Sequence, residues 1–383
     1  MNTIIYQLMI MFYWFSVFTY LPTLTPYLTS IGVSYSFIGL ISSAYGIAQM
    51  LLRIPLGIAS DRLRRRRIFI NLGILIGLIS SIGLFLTENQ TTIFIMRALS
   101  GVAASTWVIM TVLFSSYFTS EKAASRMSQL SMINASGQVV AMLLGSALTT
   151  RFGYKAPFLL SIFVAAIAFV LSLFIKENVP PITKAPPTIK ETMRVGKDRN
   201  LMVMSVLAAI LQIILSGATS TFLPEIARNL GASNETLGLL SSISTLPRIA
   251  SAMTCAMLLS KQVNERTLIA GGFLVTVITI AMTPFSSNLP ILFAVTMVGG
   301  FGKGMVTTVT LALCTKSVDV SLKSTGMGFY QAIYGIGMSI GPAITGVVSD
   351  MFGIAAGFLF ASGVAFVGFL ITLIFLDKKK VKT

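Results

Sequence analysis

Four basic side chains lie inside long apolar segments, where a charge usually has a function or a partner. They are Arg53, Arg97, Arg248 and Lys303. A charge at membrane depth costs ~2.5–3.5 kcal/mol or more. No carboxylate lies deep in any apolar segment. The nearest are Glu225 and Asp350, and both lie near segment ends. Unpaired Arg and Lys side chains suit carboxylate or phosphate groups, so the sequence favours a ligand with a negative group. The alternative is that each cation bonds backbone carbonyls or polar neighbours and only braces its helix.

Polar residues at helical spacing extend this candidate site. Pairs four residues apart share one face of a helix. The predicted substrate-binding set is Arg248, Lys303, Arg97, Asn134, Gln138, Tyr330, Tyr334, Gln331, Tyr45 and Gln49. Hydrogen bonding between helices is the alternative interpretation for each of the polar members.

The elements that must position these residues are membrane helices. Of 383 residues, 55% are hydrophobic and 10% are charged, and the mean hydropathy is +0.86. The apolar runs are long enough to cross the ~30 Å hydrocarbon layer as helices. The sequence predicts an all-α membrane protein with twelve spans. These are 4–28, 35–60, 67–87, 91–116, 126–150, 154–176, 200–227, 235–260, 266–286, 289–315, 323–350 and 353–376.

The basic residues predict the orientation. Most of the 28 Lys and Arg residues follow even-numbered spans or lie in the C-terminal tail, whereas only Arg151, Lys155 and Arg228 lie in the opposite connections. By the positive-inside rule both termini are cytoplasmic in a cell-membrane protein. We expect the net charge of +16 to contact anionic headgroups, and not nucleic acid, because it is dispersed over several loops.

The longest polar stretch, 177–199, predicts a cytoplasmic linker between two six-helix halves, 1–176 and 200–383. The halves resemble each other. The segment at 31–43, IGVSYSFIGLISS, aligns without gaps with LGASNETLGLLSS at 230–242, and RFG at 151–153 aligns with MFG at 351–353. This register predicts a duplication, an architecture typical of transporters.

One loop carries a motif that resembles a known family. Between spans 2 and 3 lie Gly57, Asp61, Arg62, Arg66 and Arg67, spaced as in the loop of the major facilitator superfamily, with Arg64 in place of its second glycine. In span 4, Arg97 and Gly101 are similar to the family's R-x-x-x-G pattern, and Pro22 and Pro26 resemble the end of span 1 in its drug exporters. Read without the family, the loop is a stop-transfer charge cluster.

The chain departs from the exporter pattern in span 5. Exporters of the family usually carry a glycine-rich motif there, but this span has only Gly137 and Gly145, with Ala141-Met142 where Gly-Pro would fall. The full pattern lies in span 11, at Gly328, Gly337 and Gly341-Pro342. This weakens the inference that the protein is an antiporter.

The resemblance implies a secondary transporter that works by alternating access and is not an enzyme. We expect proton-coupled export of a small amphipathic or anionic organic solute by a monomer. The gating residues would be Gly57, Asp61, Arg62, Arg66 and Arg67, and the proton-coupling candidates Asp61 and Glu225. The alternatives are an uptake symporter or facilitator for an organic anion, and a receptor or sensor of transporter fold. With no histidine, and with Cys255 and Cys314 predicted to be packing residues, we expect no metal and no cofactor.

Overall fold

The computed structural model describes residues 2–63, 65–177, 197–260, 263–316 and 323–376, and this part is helical without strands. The first helices are α1 (Asn2–Phe18), α2 (Leu21–Ser30), α3 (Tyr35–Leu63), α4 (Arg66–Leu86), α5 (Gln90–Ser105), α6 (Trp107–Ser115), α7 (Ser120–Phe152) and α8 (Ala156–Ser172). They are followed by α9 (Arg199–Gln212), a π-helical segment (Ile213–Phe222), α10 (Leu223–Asn229), α11 (Asn234–Ser260), α12 (Glu265–Met282), a 3-10 turn (Thr283–Phe285), α13 (Leu289–Lys316), α14 (Lys323–Phe352) and α15 (Ile354–Phe375).

Ten of the helical stretches in this part of the chain are long and apolar enough to cross a membrane, and Ala156–Ser172 is a shorter apolar helix. The protein is therefore a multi-pass membrane protein. Most of the predicted linker and the end of the C-terminal tail lie outside the described residues.

Three predicted spans are interrupted between their ends. Span 1 is divided at Thr19 and Tyr20, where Pro22 occupies the first turn of α2, a position that proline favours. Span 4 is divided at Thr106, and span 7 contains the π-helical segment. In that segment Thr221 Oγ1 donates to Ser216 O, five residues back. Such segments are rare and concentrate at functional sites.

The chain forms two compact units. Unit 1 comprises residues 1–31, 44–186 and 233–239, and unit 2 comprises 32–43, 187–232 and 240–383. In unit 1, α1 packs on α7 and α8, and α4 packs on α5 and α8. Its core is rich in aromatic side chains, including Tyr6, Tyr13 and Phe114. In unit 2, α12 packs on α13 and α15, and α9 packs on α13 and α14.

Two short segments, 32–43 and 233–239, group with the unit opposite to the one that holds the rest of their helix. Both belong to the segments that resemble each other in sequence. In unit 2, a Cβ on Gly39 would lie 2.3 Å from Pro342 O, and in unit 1 a Cβ on Gly238 would lie 2.7 Å from Met142 O. Glycine is therefore needed at both positions, because helix backbones approach closely there.

Four glycines have positive φ, between 80° and 87°: Gly32, Gly153, Gly231 and Gly353. Each lies in a connection between helices, where only glycine adopts this conformation without strain. They are the same glycines that the sequence alignment pairs, Gly32 with Gly231 and Gly153 with Gly353.

Candidate functional site

In unit 1, Arg97 on α5 is enclosed by tyrosines. The side chain is only 4% exposed. Its Nη1 donates to the hydroxyl of Tyr20 at 2.9 Å, and its guanidinium carbon lies 4.9 Å from the ring centre of Tyr45 and 5.7 Å from that of Tyr20. Within the described part no carboxylate pairs with Arg97, and its buried Nε has no hydrogen-bond partner. The site therefore offers an unneutralised cation with two aromatic faces.

Helix packing places Tyr45 beside Arg97. A Cβ on Gly101, one turn after Arg97, would lie 2.2 Å from Tyr45 O, so α3 and α5 touch through their backbones. The R-x-x-x-G spacing thus places the cation and the close contact on one face of α5. Tyr20 reaches the same cation from the break between α1 and α2.

The other polar residues predicted in unit 1 are arranged as helix-face pairs. Gln138 Nε2 donates to Asn134 Oδ1 at 3.1 Å on α7, and both side chains are partly buried. Gln49 on α3 is buried, one turn beyond Tyr45. The Asn134–Gln138 bond leaves each amide with further hydrogen-bonding capacity.

In unit 2, Lys303 on α13 is directed into a small cavity. It is 2% exposed, and its Nζ donates to Thr219 Oγ1 in the π-helical segment at 3.1 Å. The cavity is lined by Thr219, Leu223, Thr279, Ile280, Thr283, Val295, Thr296, Gly299, Lys303 and Phe358. Among these lining residues there is no carboxylate.

Arg248 on α11 lies next to the helix that carries Lys303. A Cβ on Gly304 would lie 2.7 Å from Arg248 Cα, so α11 and α13 are in close contact at this point. The Arg248 side chain is partly buried, and its carbonyl accepts from Ser251 Oγ at 2.7 Å. Two of the predicted cations are therefore on adjacent helices of unit 2.

The predicted tyrosines of α14 form a ring pair. The ring centres of Tyr330 and Tyr334 are 5.8 Å apart in an edge-to-face arrangement. The Tyr330 hydroxyl also lies 3.2 Å from Thr310 Oγ1 on α13. Tyr330 is buried, whereas Gln331 and Tyr334 are partly buried.

The basic loop after α3 is held to the end of α8 by Glu177. One carboxylate oxygen of Glu177 accepts from the backbone N–H of Arg66 at 2.5 Å, and the other accepts from that of Arg67 at 3.3 Å. The Arg67 guanidinium donates to Leu173 O. A carboxylate at a helix N-terminus is stabilised by the unpaired N–H groups and by the helix dipole. In this conformation Arg67 therefore braces unit 1 internally.

Tyr117 strengthens the same corner. Its hydroxyl donates to Lys176 O at 2.5 Å. Burial, with a smaller contribution from the charge of Glu177, raises the pKa of Tyr117 to about 12, so the hydroxyl remains a donor throughout the physiological pH range.

The remaining predicted gating and coupling residues are dispersed. A Cβ on Gly57 would meet nothing within 4 Å, and Arg62 is exposed. The side chain of Asp61 lies outside the described part. Glu225, at the start of α10 in unit 2, is 4% exposed.

Sequence reasoning did not identify several contacting residues. Tyr20 and Thr219 contact the buried cations, and Glu177 caps α4. Asp350 on α14 accepts from two backbone N–H groups in the first turn of α3, at 2.9 and 3.0 Å, and so caps that helix. Glu177 and Asp350 could have been found as acidic residues at span ends. Nothing in the sequence marks Thr219.

Comparison with known proteins identifies the family. A sequence model of the Major Facilitator Superfamily matches residues 8–216 and again 205–383. Among similar proteins is the multi-drug resistance efflux pump PmrA of Streptococcus pneumoniae, 27% identical over 84% of this chain and 82% of its own. The multidrug resistance protein MdtG of Proteus mirabilis is 22% identical over 87% of this chain and 80% of its own.

Solved structures share the fold. The nucleoside transporter NupG superposes with a TM-score of 0.80 over 99% of this chain and all of its own, at 15% identity. An inward-facing bacterial homologue of the lysosomal transporter Spinster gives a TM-score of 0.81 over 99% of this chain and 98% of its own, at 13% identity. With a family match along nearly the whole chain and a shared fold, the chain belongs to the major facilitator superfamily and is a non-enzymatic membrane transporter of small molecules.

Proposed function

We propose that the protein exports a small amphipathic or anionic organic solute across the cytoplasmic membrane by alternating access, in exchange for protons. In this proposal twelve spans form two related six-helix halves, both termini are cytoplasmic, and the working unit is a monomer. In the described part of the chain, ten of these spans lie on helical stretches that are long and apolar enough to cross a membrane. Span 6 corresponds to the shorter helix α8, and span 8 corresponds to α11, which is 27 residues long.

Equivalent contacts in the two halves support a duplication. Arg67 donates to Leu173 O in unit 1, and Arg266 donates to Leu373 O at 2.6 Å in unit 2. The arginines are 199 positions apart and the acceptors 200, close to the register of the paired glycines. Duplicated halves around a binding site are typical of transporters.

The class of solute is inferred from the surroundings of Arg97. A buried guanidinium between two tyrosine rings can bind a carboxylate through its free N–H groups, while the rings contact the apolar part of the same solute. Since no carboxylate neutralises Arg97 in the described part, the solute itself can supply the negative charge. Arg248 is the second solute-binding cation in this proposal, because the family resemblance implies that span 8, here α11, lines the substrate cavity. Asn134, Gln138, Gln331 and Tyr334 supply further polar contacts.

The direction of transport is inferred from relatives. PmrA is an efflux pump by name and MdtG is a multidrug resistance protein, which favours export. For coupling, Asp61 and Glu225 remain the proposed proton carriers. The basic loop from Gly57 to Arg67 would hold the cytoplasmic side closed in one access state, as its motif implies.

The proposal is tested with purified protein in liposomes and two dyes, the anionic carboxyfluorescein and the cationic ethidium. An acidic lumen should drive carboxyfluorescein into the liposomes, because outward proton flow would power its entry by exchange. Ethidium should enter more slowly. Accumulation driven by an acidic exterior would indicate a symporter. Carboxyfluorescein uptake at the same rate with an acidic lumen, an acidic exterior or no pH gradient would contradict proton coupling.

Arg97→Gln should reduce carboxyfluorescein flux about tenfold or more, because a hydrogen bond to a charged group contributes about 1.5–3 kcal/mol. Arg126→Gln is the matched control, since Arg126 is exposed and its guanidinium donates to Gln129 on the same helix. Equal flux in wild type and Arg97→Gln would refute the assignment of Arg97 to solute binding.

A further inference from the structure

The start of α3 packs on the end of α14 along a single stripe in unit 2. A Cβ on Gly39 would collide with Pro342 O, and a Cβ on Gly346 would collide with Tyr35 O. On each helix these residues are four positions apart, so they lie on one face. Both contacts join a glycine to a backbone carbonyl, and neither interlocks side chains. The contact is therefore of a kind that two helices can open and form again.

Asp350 ends this stripe with a charge, one turn beyond Gly346 on α14. Its carboxylate oxygens accept from the backbone N–H groups of Tyr35 and Ser36 at 2.9 and 3.0 Å. The first turn of α3 has no acidic residue of its own, so the negative charge that stabilises its N-terminus comes from a different helix. Both hydrogen bonds are exposed. Water can therefore replace the carboxylate when the helices separate, which keeps the cost of release low.

The related contact in unit 1 has no such charge. There α11 packs on α7 where a Cβ on Gly238 would lie 2.7 Å from Met142 O. Thr150 precedes RFG as Asp350 precedes MFG, so it is the residue that the alignment pairs with Asp350. Its hydroxyl donates to a carbonyl of its own helix at 3.3 Å, and the first turn of α11 contains its own acidic residue, Glu235. Among the described residues, only the contact in unit 2 has a carboxylate that bridges the two helices.

This bridge lies where α3 passes from one compact unit to the other. Residues 32–43 group with unit 2, and the rest of α3 groups with unit 1. If the two units move relative to each other, as alternating access requires, α3 must either bend near Ser43 or leave α14. The hydrogen bonds of Asp350 oppose the second movement. They therefore bias the transporter towards the conformation described here.

We propose that Asp350 is a latch, a carboxylate that holds the first turn of α3 in one access state and releases it in the other. In the proposed topology both helix ends face the exterior, so the latch closes the outer side. Its negative charge, and not the shape of its side chain, supplies the stabilisation. This inference rests on the alternating access of the proposed function, and on no assumption about the solute, the direction or the coupling ion.

The test follows the exposure of a buried serine on each of the two helices. Ser43 on α3 accepts from a backbone N–H of α14 at 3.0 Å and is 1% exposed. Ser242 on α11, which the alignment pairs with Ser43, is 2% exposed. Ser43→Cys and Ser242→Cys are made separately in a chain that carries Cys255→Ala and Cys314→Ala. The rate at which a neutral maleimide labels each introduced thiol is measured with purified protein in lipid nanodiscs, without solute or pH gradient.

Asp350→Asn removes the charge at constant size and should increase the labelling rate about fivefold or more at both positions, which corresponds to about 1 kcal/mol in the balance of the two access states. Asp350→Thr, which introduces the residue found at the paired position, should do the same. Glu235→Gln is the matched control, because it removes an acidic charge that belongs to the first turn of α11 itself. It should leave both rates unchanged.

An increase at position 43 alone would show that α3 only frays at its start, and would overturn the latch. Unchanged rates at both positions would also overturn it. If Asp350→Asn does not fold, Asp350→Thr decides by the same criterion. The labelling assay measures no transport, so it is independent of the dye experiment. Faster labelling at both positions in a protein that moves neither dye would support the latch and contradict the proposed export.

Discussion

At the scale of single residues, Arg97 shows how a membrane protein accommodates a buried cation without a carboxylate. One N–H bonds to a tyrosine hydroxyl, and two rings present their electron-rich faces to the guanidinium. This stabilises the charge less than an ion pair would. The remaining N–H capacity is what makes the residue suitable for a transient, negatively charged ligand.

The bond between Tyr20 and Arg97 leads to a stability prediction. Tyr20→Phe keeps the ring over Arg97 and its packing on Phe158, at 5.1 Å between ring centres, but removes the hydroxyl. We expect a loss of about 1.5–3 kcal/mol in unfolding free energy, because the partner is charged. Tyr6→Phe is the control, since the Tyr6 hydroxyl donates to the neutral Met110 O at 2.7 Å. It should cost about 0.5–1.5 kcal/mol in the same denaturation assay. Equal losses would contradict the reasoning.

The sequence contained part of this site. Arg97 and Tyr45 were predicted, because a charge in an apolar span and a polar residue at helical spacing can both be recognised in the sequence alone. Tyr20 was not predicted, since it approaches Arg97 only through the break between α1 and α2. Thr219 lies in the π-helical segment and accepts a hydrogen bond from Lys303. No local pattern of residue types predicts that segment.

At the scale of elements, two of the three glycines of α3 have opposite surroundings. Gly39 touches the backbone of Pro342, whereas Gly57 has free space around it. The family motif contains Gly57, and its proposed purpose is close helix approach. In this conformation the close approach occurs at Gly39. We propose that Gly57 makes its close approach in the other access state.

Alanine substitutions distinguish these two glycines. Gly39→Ala should lower the unfolding free energy by about 1–3 kcal/mol, because the new methyl group collides with a backbone carbonyl. Gly57→Ala should leave stability unchanged or raise it by up to about 1 kcal/mol, since alanine favours helix. Dye flux in liposomes should nevertheless fall in Gly57→Ala. If flux is retained, Gly57 is not a close-contact residue in either access state.

Much of the element pattern could be predicted from hydropathy. The predicted spans lie on helices because long apolar runs leave the backbone no other way to satisfy its hydrogen bonds in lipid. The break at Tyr20 was not predicted, although Pro22 lies in the first turn of the helix that follows it. The π-helical segment was not predictable, since it depends on tertiary contacts such as that of Gly217 with Gly341, where a Cβ would lie 2.9 Å from the carbonyl oxygen.

At the scale of the whole molecule, the distribution of basic residues predicts how the chain is inserted. Alkaline phosphatase, which folds only outside the cytoplasm, should be inactive when fused after residue 376. It should be active when fused after Thr87, between α4 and α5. Green fluorescent protein fused at the same two places should give the opposite pattern of fluorescence. Two active phosphatase fusions would contradict the proposed topology.

The segments 32–43 and 233–239, which group with the unit opposite to the rest of their helix, determine whether fragments of the chain can fold separately. A cut in the stretch between residues 177 and 199 separates each compact unit from a helix start that groups with it. Fragments 1–186 and 187–383 should therefore be degraded when produced singly and recover when produced together. In this prediction neither fragment is stable without the other. The two parts of the single chain therefore depend on each other for folding.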